Sequence, residues 1–300
     1  MASISIKLFG KTLRNPVMNA SGTLGYSSEI EALWGVKTLG AYVTKGLSLT
    51  PHHGNPIPRV WDERSGMINS IGLQNMGVEK FFAQHFSFFR KKKTPVIINF
   101  FGFTEEEYVR CAESIKPHPL VVALEMNLSC PNIKAGGISF GKDPDMVYRI
   151  VKRIKEVTGI PILAKLTPEV KHIAEVALAA SKAGADGLTL INTMPALVVD
   201  LKRKRIPIKG GLSGPTLKPI ALRAVHECAQ VVSIPIIGVG GIMNADDAIS
   251  FFMAGASAVQ VGSATFGDPY AIPRTITGVR AYLENNGYRR VEQIMGIIDG

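Results

Sequence analysis

Apolar residues in this chain fall into short unbroken runs, at residues 15–20, 40–44, 94–99, 120–127, 160–165, 184–190, 234–239 and 255–261. Runs of this length without alternation predict strands buried on both faces. Three open behind glycine (Gly40, Gly184, Gly255), and the last two of these follow amphipathic stretches. Glycine in that place suits a left-handed helix C-terminus. Two more enter through Pro161 and Pro235, where a missing N–H at the first strand position sacrifices no ladder bond. Helical periodicity fills the intervals, as at residues 144–158 and 171–182. The prediction is an α/β fold, and eight alternating units favour a closed (β/α)8 TIM barrel over an open doubly wound sheet. Residues 46–89 are too many for a simple connection and contain the turn-rich segment 51–58, which predicts an insertion over the C-terminal mouth. No linker or shift of composition divides residues 1–300, so a single barrel domain is expected.

Composition adds ample core, at 46% hydrophobic over 300 residues. The 34 basic and 24 acidic side chains leave a charge of +10. That balance admits an acidic ligand, an acidic protein partner or nucleic acid, and its sign does not choose among them. The basic runs 90–93 and 202–205 suggest an RNA-binding barrel as one alternative, but such runs are usually solvated faces and no aromatic-interleaved RNA motif accompanies them. Cysteines at 111, 130 and 228 are odd in number and form no C-x-x-C. They predict no disulfide framework, no zinc or iron–sulfur site within this chain, and a reducing compartment, the cytoplasm. The first residues lack a signal-peptide core and no run of about 18 apolar residues could span a bilayer, so a soluble protein is expected.

Barrel chemistry sits just past the C-terminal ends of the strands. Those tips are Ser21 and Gly22, Lys45 and Gly46, Asn99, residues 127–130, Lys165, Asn192 and Thr193, Gly240 and Gly241, and Gly262 and Ser263. Two lysines and three asparagines at the ends of apolar strands predict a ligand site. Gly238-Val-Gly-Gly-Ile242 and Val261-Gly-Ser-Ala264 follow the seventh and eighth strands, where barrels usually bind phosphate through backbone N–H groups. Gly210-Gly-Leu-Ser-Gly214 could add a further close backbone approach. Lys165 ends a buried strand, where an ammonium is expensive unless paired. It could reach solvent, pair with a carboxylate such as Glu125, or face a charge that develops during reaction. Cys130 stands between two amides in Asn127-Leu-Ser-Cys-Pro-Asn132 and is open to being a nucleophile, an acid or base, or a small core residue. Gly136 and Gly137 in the loop 132–142 fit either a lid over the site or an ordinary glycine loop.

Together with Asn69-Ser-Ile-Gly-Leu-Gln-Asn75, Ala164-Lys-Leu-Thr-Pro168, Ile191-Asn-Thr193 and Gly211-Leu-Ser-Gly-Pro215, these motifs resemble the catalytic subunit of class 1B dihydroorotate dehydrogenase, over nearly the whole chain. The resemblance implies an FMN-binding barrel that oxidises (S)-dihydroorotate to orotate. It implies that Ser21, Lys45, Gly46, Asn99, Asn127, Lys165, Ile191, Gly214, Gly240, Gly241, Gly262 and Ser263 line FMN. Substrate would be held by Lys45, Asn69, Ser70, Ile71, Gly72, Leu73, Asn127, Asn192 and Thr193, with Cys130 as the base. A partner subunit carrying FAD and a 2Fe–2S cluster would pass electrons to NAD, around a homodimer core of a heterotetramer, with no membrane or nucleic acid involved. Two positions depart from the pattern: Ser263, where threonine is usual, and the loop beginning Met194-Pro195, where a glycine-containing loop is expected. The fumarate-dependent class 1A enzymes share the cysteine but tend to have methionine and proline where this chain has Ile71 and Gln74. Class 2 enzymes use serine as base and carry an N-terminal membrane-associating extension. A dihydropyrimidine dehydrogenase-like reductase shares Asn-Leu-Ser-Cys-Pro and Ala-Lys-Leu-Thr-Pro but not the segment 69–75.

Overall fold

A computed structural model of the chain describes residues 2–26, 28–129, 131–132 and 138–298. Each of the eight apolar runs contains a strand: Val17–Asn19, Tyr42–Val43, Val96–Phe100, Val121–Asn127, Ile162–Leu166, Gly187–Leu190, Ile236–Val239 and Ala258–Val261. They pair in parallel in chain order from the second to the eighth, and the eighth returns to the first through Val259 opposite Val17. This is the (β/α)8 barrel expected from the pattern. The runs do not alternate because one face of each strand fills the barrel interior and the other packs under the helices.

The ring closes at a seam where strand pairing is replaced by a side chain. Gly40 N donates to Val17 O at 2.9 Å, and the buried Asn19 amide then takes over. Its Nδ2 donates to Val43 O at 2.8 Å and its Oδ1 accepts from Val43 N at 2.9 Å. A Cβ on Gly40 would stand 2.1 Å from Asn15 O, so this glycine permits a close crossing. It does not cap a helix in the left-handed conformation as Gly184 (φ +95°) and Gly255 (φ +113°) do. The shared glycine pattern thus hides two physical reasons.

Six of the outer helices are Glu105–Ser114, Pro144–Val157, Ile173–Lys182, Lys218–Ala229, Ala245–Met253 and Ala271–Asn285. Thr104, Asp143 and Asn244 cap three of them by accepting from Glu107 N, Asp145 N and Asp247 N. A hairpin of Ile6–Leu8 and Lys11–Leu13 buries Leu8 and Leu13 and brings the Phe9 ring against Gly187, at the N-terminal ends of the strands.

The opposite end carries a four-stranded antiparallel sheet in the order Met194–Leu197, Lys209–Ser213, Gly66–Asn69, Val60–Glu63. The insertion over the mouth is therefore real but shorter than 46–89, because Val78–Gln84 and Phe86–Lys92 are helices that bury Phe81, Phe86 and Phe89 in the barrel core. The loop beginning at Met194 is an edge strand of this sheet, a position where Pro195 removes no needed donor. Among the described residues no helix is long and apolar enough to cross a membrane.

Candidate functional site

A cavity of about 640 Å³ lies between the strand tips and the four-stranded sheet. Apart from Cys130, every residue expected at cofactor or substrate lines it. Cys130, and Gly136 and Gly137 of the expected lid, lie outside the described residues.

One end is built of backbone. Gly214, Gly240, Gly241, Gly262 and Ser263 line it. Gly241 has φ +72°, and a Cβ there would stand 2.6 Å from Lys218 N, so any side chain would push away the start of helix Lys218–Ala229. That helix is tied down by Lys218 Nζ, which donates to Asp247 Oδ1 at 2.5 Å, while Asp247 Oδ2 accepts from Met243 N at 2.9 Å. Adjacent backbone groups held this way suit a phosphate. The close approach expected at residues 210–214 is also present, but it is made to protein. A Cβ on Gly210 would fall 1.9 Å from Asn69 O, and one on Gly211 would fall 2.2 Å from Thr193 Oγ1.

The floor is ionic. Lys165 is 6% exposed and pairs with the fully buried Glu125 at 3.4 Å, so the ion pair considered from sequence exists, yet Lys165 also faces the cavity. Asn99 reaches Glu125 through Nδ2 at 2.6 Å, and its Oδ1 is buried without a partner. An orphaned buried acceptor is costly unless a ligand donor meets it.

The other end is lined by amides and cations. Asn127 Oδ1 accepts from Asn192 Nδ2 at 3.0 Å, and the same Nδ2 donates to Ser129 Oγ at 2.8 Å. Thr193 N donates to Asn192 Oδ1 at 2.8 Å, which fixes the amide's orientation. Lys45 makes no ion pair among the described residues. Burial pulls its pKa below the usual lysine range, and the nearby Arg59 charge adds to the effect. Asn69, Ser70, Ile71, Gly72 and Leu73 cover this end from the hairpin.

Two residues that sequence reading did not single out hold that cover in place. Arg59 donates to Asn55 O at 2.5 Å, Gln74 Oε1 at 2.9 Å and His53 O at 3.2 Å, joining the segment 52–59 to residues 69–74. Asn75 accepts from Ser48 N at 3.1 Å and Gly77 N at 2.8 Å and donates to Leu73 O at 2.9 Å. It anchors Leu73, whose φ of +59° is uncommon for a side chain of this kind. The only sequence signal for Asn75 is its place at the end of the 69–75 motif.

The cavity divides its chemistry: backbone donors suited to a phosphate at one end, the unpaired Asn99 acceptor and the Lys165 cation suited to a polar ring along the floor, and an amide-lined pocket under the hairpin. A family model described as dihydroorotate dehydrogenase matches residues 3–283. The chain is 48% identical over 298 residues to the dihydroorotate dehydrogenase B (NAD(+)) catalytic subunit of Geobacter metallireducens, covering 98% of each chain. The protein of the same description from Geobacter sulfurreducens is 48% identical, over 99% of this chain and 98% of its own. That from Caldicellulosiruptor saccharolyticus is 46% identical, over 99% of each.

Proposed function

The chain belongs to the dihydroorotate dehydrogenase family, and on that footing we propose that it oxidises (S)-dihydroorotate to orotate in pyrimidine biosynthesis as the catalytic subunit of an NAD-linked, class 1B enzyme. The observation that carries the reading is the convergence of the tip residues and the hairpin motif 69–73 on one cavity with a phosphate end, a cationic floor and an amide end.

Gly214, Gly240, Gly241, Gly262 and Ser263 would hold the phosphate of FMN, with Ser21, Gly46, Asn99, Lys165 and Ile191 along the rest of the cofactor. The hydroxyl of Ser263 keeps the hydrogen-bonding group that threonine would supply. Bound FMN supplies the hydride acceptor for C6 of the substrate. The chain's own residues do the rest. Cys130 takes the proton from C5 on its Sγ, so that the C5–C6 double bond of orotate forms as both leave. A thiol of ordinary pKa, near ~8.5, is a minority thiolate at neutral pH, so turnover rises with pH until the base is deprotonated. Lys45 pairs with the substrate carboxylate, and the hydrogen-bonded amides of Asn127 and Asn192, with Asn69 above them, match the donors and acceptors of the pyrimidine edge. The hairpin over the mouth excludes water from this end.

Electrons then pass to NAD through a partner subunit carrying FAD and a 2Fe–2S cluster, around a homodimer of this chain, in the cytoplasm. The words "catalytic subunit" and "NAD(+)" in the relatives' descriptions support a partner. The test is anaerobic. The purified yellow protein bleaches with dihydroorotate and yields one orotate per flavin; reoxidation is then followed with fumarate and with NAD in separate cuvettes. Protein that is colourless, or yellow but not bleached by dihydroorotate, overturns the reading. Multiple turnovers with fumarate would move the chain to class 1A, and multiple turnovers with NAD by the isolated chain would remove the partner.

A further inference from the structure

Glu125 lies at the centre of the barrel with no exposed surface, and four donors from four different strands converge on it. Asn99 Nδ2 (2.6 Å) and Lys165 Nζ (3.4 Å) meet Oε1, while Thr189 Oγ1 (2.9 Å) and Gln260 Nε2 (2.6 Å) meet Oε2. Asn99 and Lys165 line the cavity, whereas Thr189 and Gln260 do not. A carboxylate only accepts, so each amide must turn its NH2 group inward to it. The other end of each amide is thereby decided. Asn99 Oδ1 and Gln260 Oε1 are both buried without partners. Asn99 Oδ1 points toward Gly46, where an added Cβ would stand 2.9 Å from it. Lys165, with three N–H donors, spends at most one on a bond as long as 3.4 Å.

We propose that Glu125 is a positioning residue that sets the polarity of the cavity floor. It holds Asn99 with its carbonyl oxygen toward the ligand and partly offsets the Lys165 charge. The floor then presents an acceptor beside a cationic donor, which is complementary to a heterocycle edge carrying an N–H next to an acceptor that becomes more negative on reduction. The inference rests on the FMN reading above and extends it to a residue that touches neither cofactor nor substrate. In this arrangement Glu125 holds down the potential of the bound ring, because the lysine cation that favours the reduced form is partly cancelled.

Glu125→Gln tests this in the intact chain by two readouts independent of turnover: the dissociation constant of FMN from the apoprotein, and the midpoint potential of the bound flavin. An amide is uncharged and a weaker acceptor than a carboxylate, so Asn99 loses part of what holds its NH2 group inward and Lys165 is left uncompensated. FMN affinity is expected to fall at least about tenfold. The reduction equilibrium is expected to shift about tenfold toward the reduced form, a rise of about 30 mV for a two-electron couple. Thr189→Val removes one bond to Glu125 without touching the cavity, concentrates the carboxylate charge against Lys165 and shifts the potential the opposite way by a smaller amount. Wild-type protein that binds no FMN overturns the underlying cofactor reading. Wild-type protein that binds FMN, with unchanged affinity and potential in both variants, overturns the role of Glu125 alone. If Glu125→Gln does not fold, the sign of the Thr189→Val shift decides, and an unchanged or raised potential rejects the proposal.

Discussion

At the scale of single residues, the site separates groups that line the cavity from groups that meet only protein. The first kind was readable from the chain, because a lysine or asparagine at the end of an apolar strand is out of keeping with what precedes it. Lys45, Asn99, Asn127, Lys165 and Asn192 all line the cavity as expected. Arg59 and Asn75 were not assigned roles, and Glu125 was considered only as a partner for Lys165, since contacts that fix them reach Gln74, Ser48 and Gln260 at 15, 27 and 135 positions away and no local pattern records such pairings. The three cysteines divide in a testable way. Cys111 and Cys228 are fully buried, and burial, helped by the nearby Glu107 and Glu227 charges, pushes both thiols up to about 12. A disulfide reagent at pH 8 should therefore titrate no more than one thiol rapidly in the native protein and all three in denaturant; two fast native thiols would contradict the burial. Cys130→Ala should retain its yellow colour and lose at least ~100-fold in kcat, as measured by steady-state oxidation of dihydroorotate. Lys45 gives a different pH signature. Its pKa is lowered, so the cation proposed to bind the substrate carboxylate is lost as pH rises, beginning below the usual lysine range. The KM for dihydroorotate should climb between neutral and alkaline pH while the kcat profile follows the base, and Lys45→Met should show a high, pH-independent KM.

Among elements, the strands were legible and the cover only in part: an insertion over the mouth was expected, its pairing with residues 194–213 was not. A strand buried on both faces announces itself by an unbroken apolar run, and all eight did so. The mouth sheet pairs residues 60–69 with 194–213 across more than a hundred positions, in strands of four or five residues with mixed burial. Neither period nor composition marks such segments. The two helices inside 46–89 were hidden for a related reason. Phe81, Phe82, Phe86, Phe88 and Phe89 crowd the helical period with aromatic residues on more than one face, as their mutual ring contacts show. The cover's stiffness depends on the short stretch between hairpin and helix. Asn75→Ala would strip partners from the N–H groups of Ser48 and Gly77, both satisfied by its Oδ1. A loss of about 2–4 kcal/mol in urea unfolding is expected, since a buried unsatisfied group costs about 1–3 kcal/mol. Because Leu73 loses its anchor, the KM for dihydroorotate should rise more than kcat falls. An unchanged KM would place the 69–73 segment outside substrate binding.

For the molecule as a whole, the seam between the first two strands is the weakest circumferential link, because two hydrogen bonds from one amide stand in for a backbone ladder. Asn19→Ala leaves the buried N–H and C=O of Val43 unpaired and should cost about 2–4 kcal/mol, read as a lower urea midpoint. Asn19→Asp, which can accept from Val43 N but cannot donate to Val43 O at neutral pH, should fall between Ala and wild type; equal stability of all three would deny the seam its role. The same seam bears on the order in which the protein can be made. Since the first strand has no ladder to the second, its backbone partner is Ala258–Val261, more than two hundred positions later in the chain. A growing polypeptide therefore cannot pair its first barrel strand until residues 258–261 have left the ribosome. During synthesis the apolar residues Val17 and Met18 must remain in a waiting, incompletely paired segment, which makes the N-terminal strand a natural place for a chaperone to hold the nascent protein.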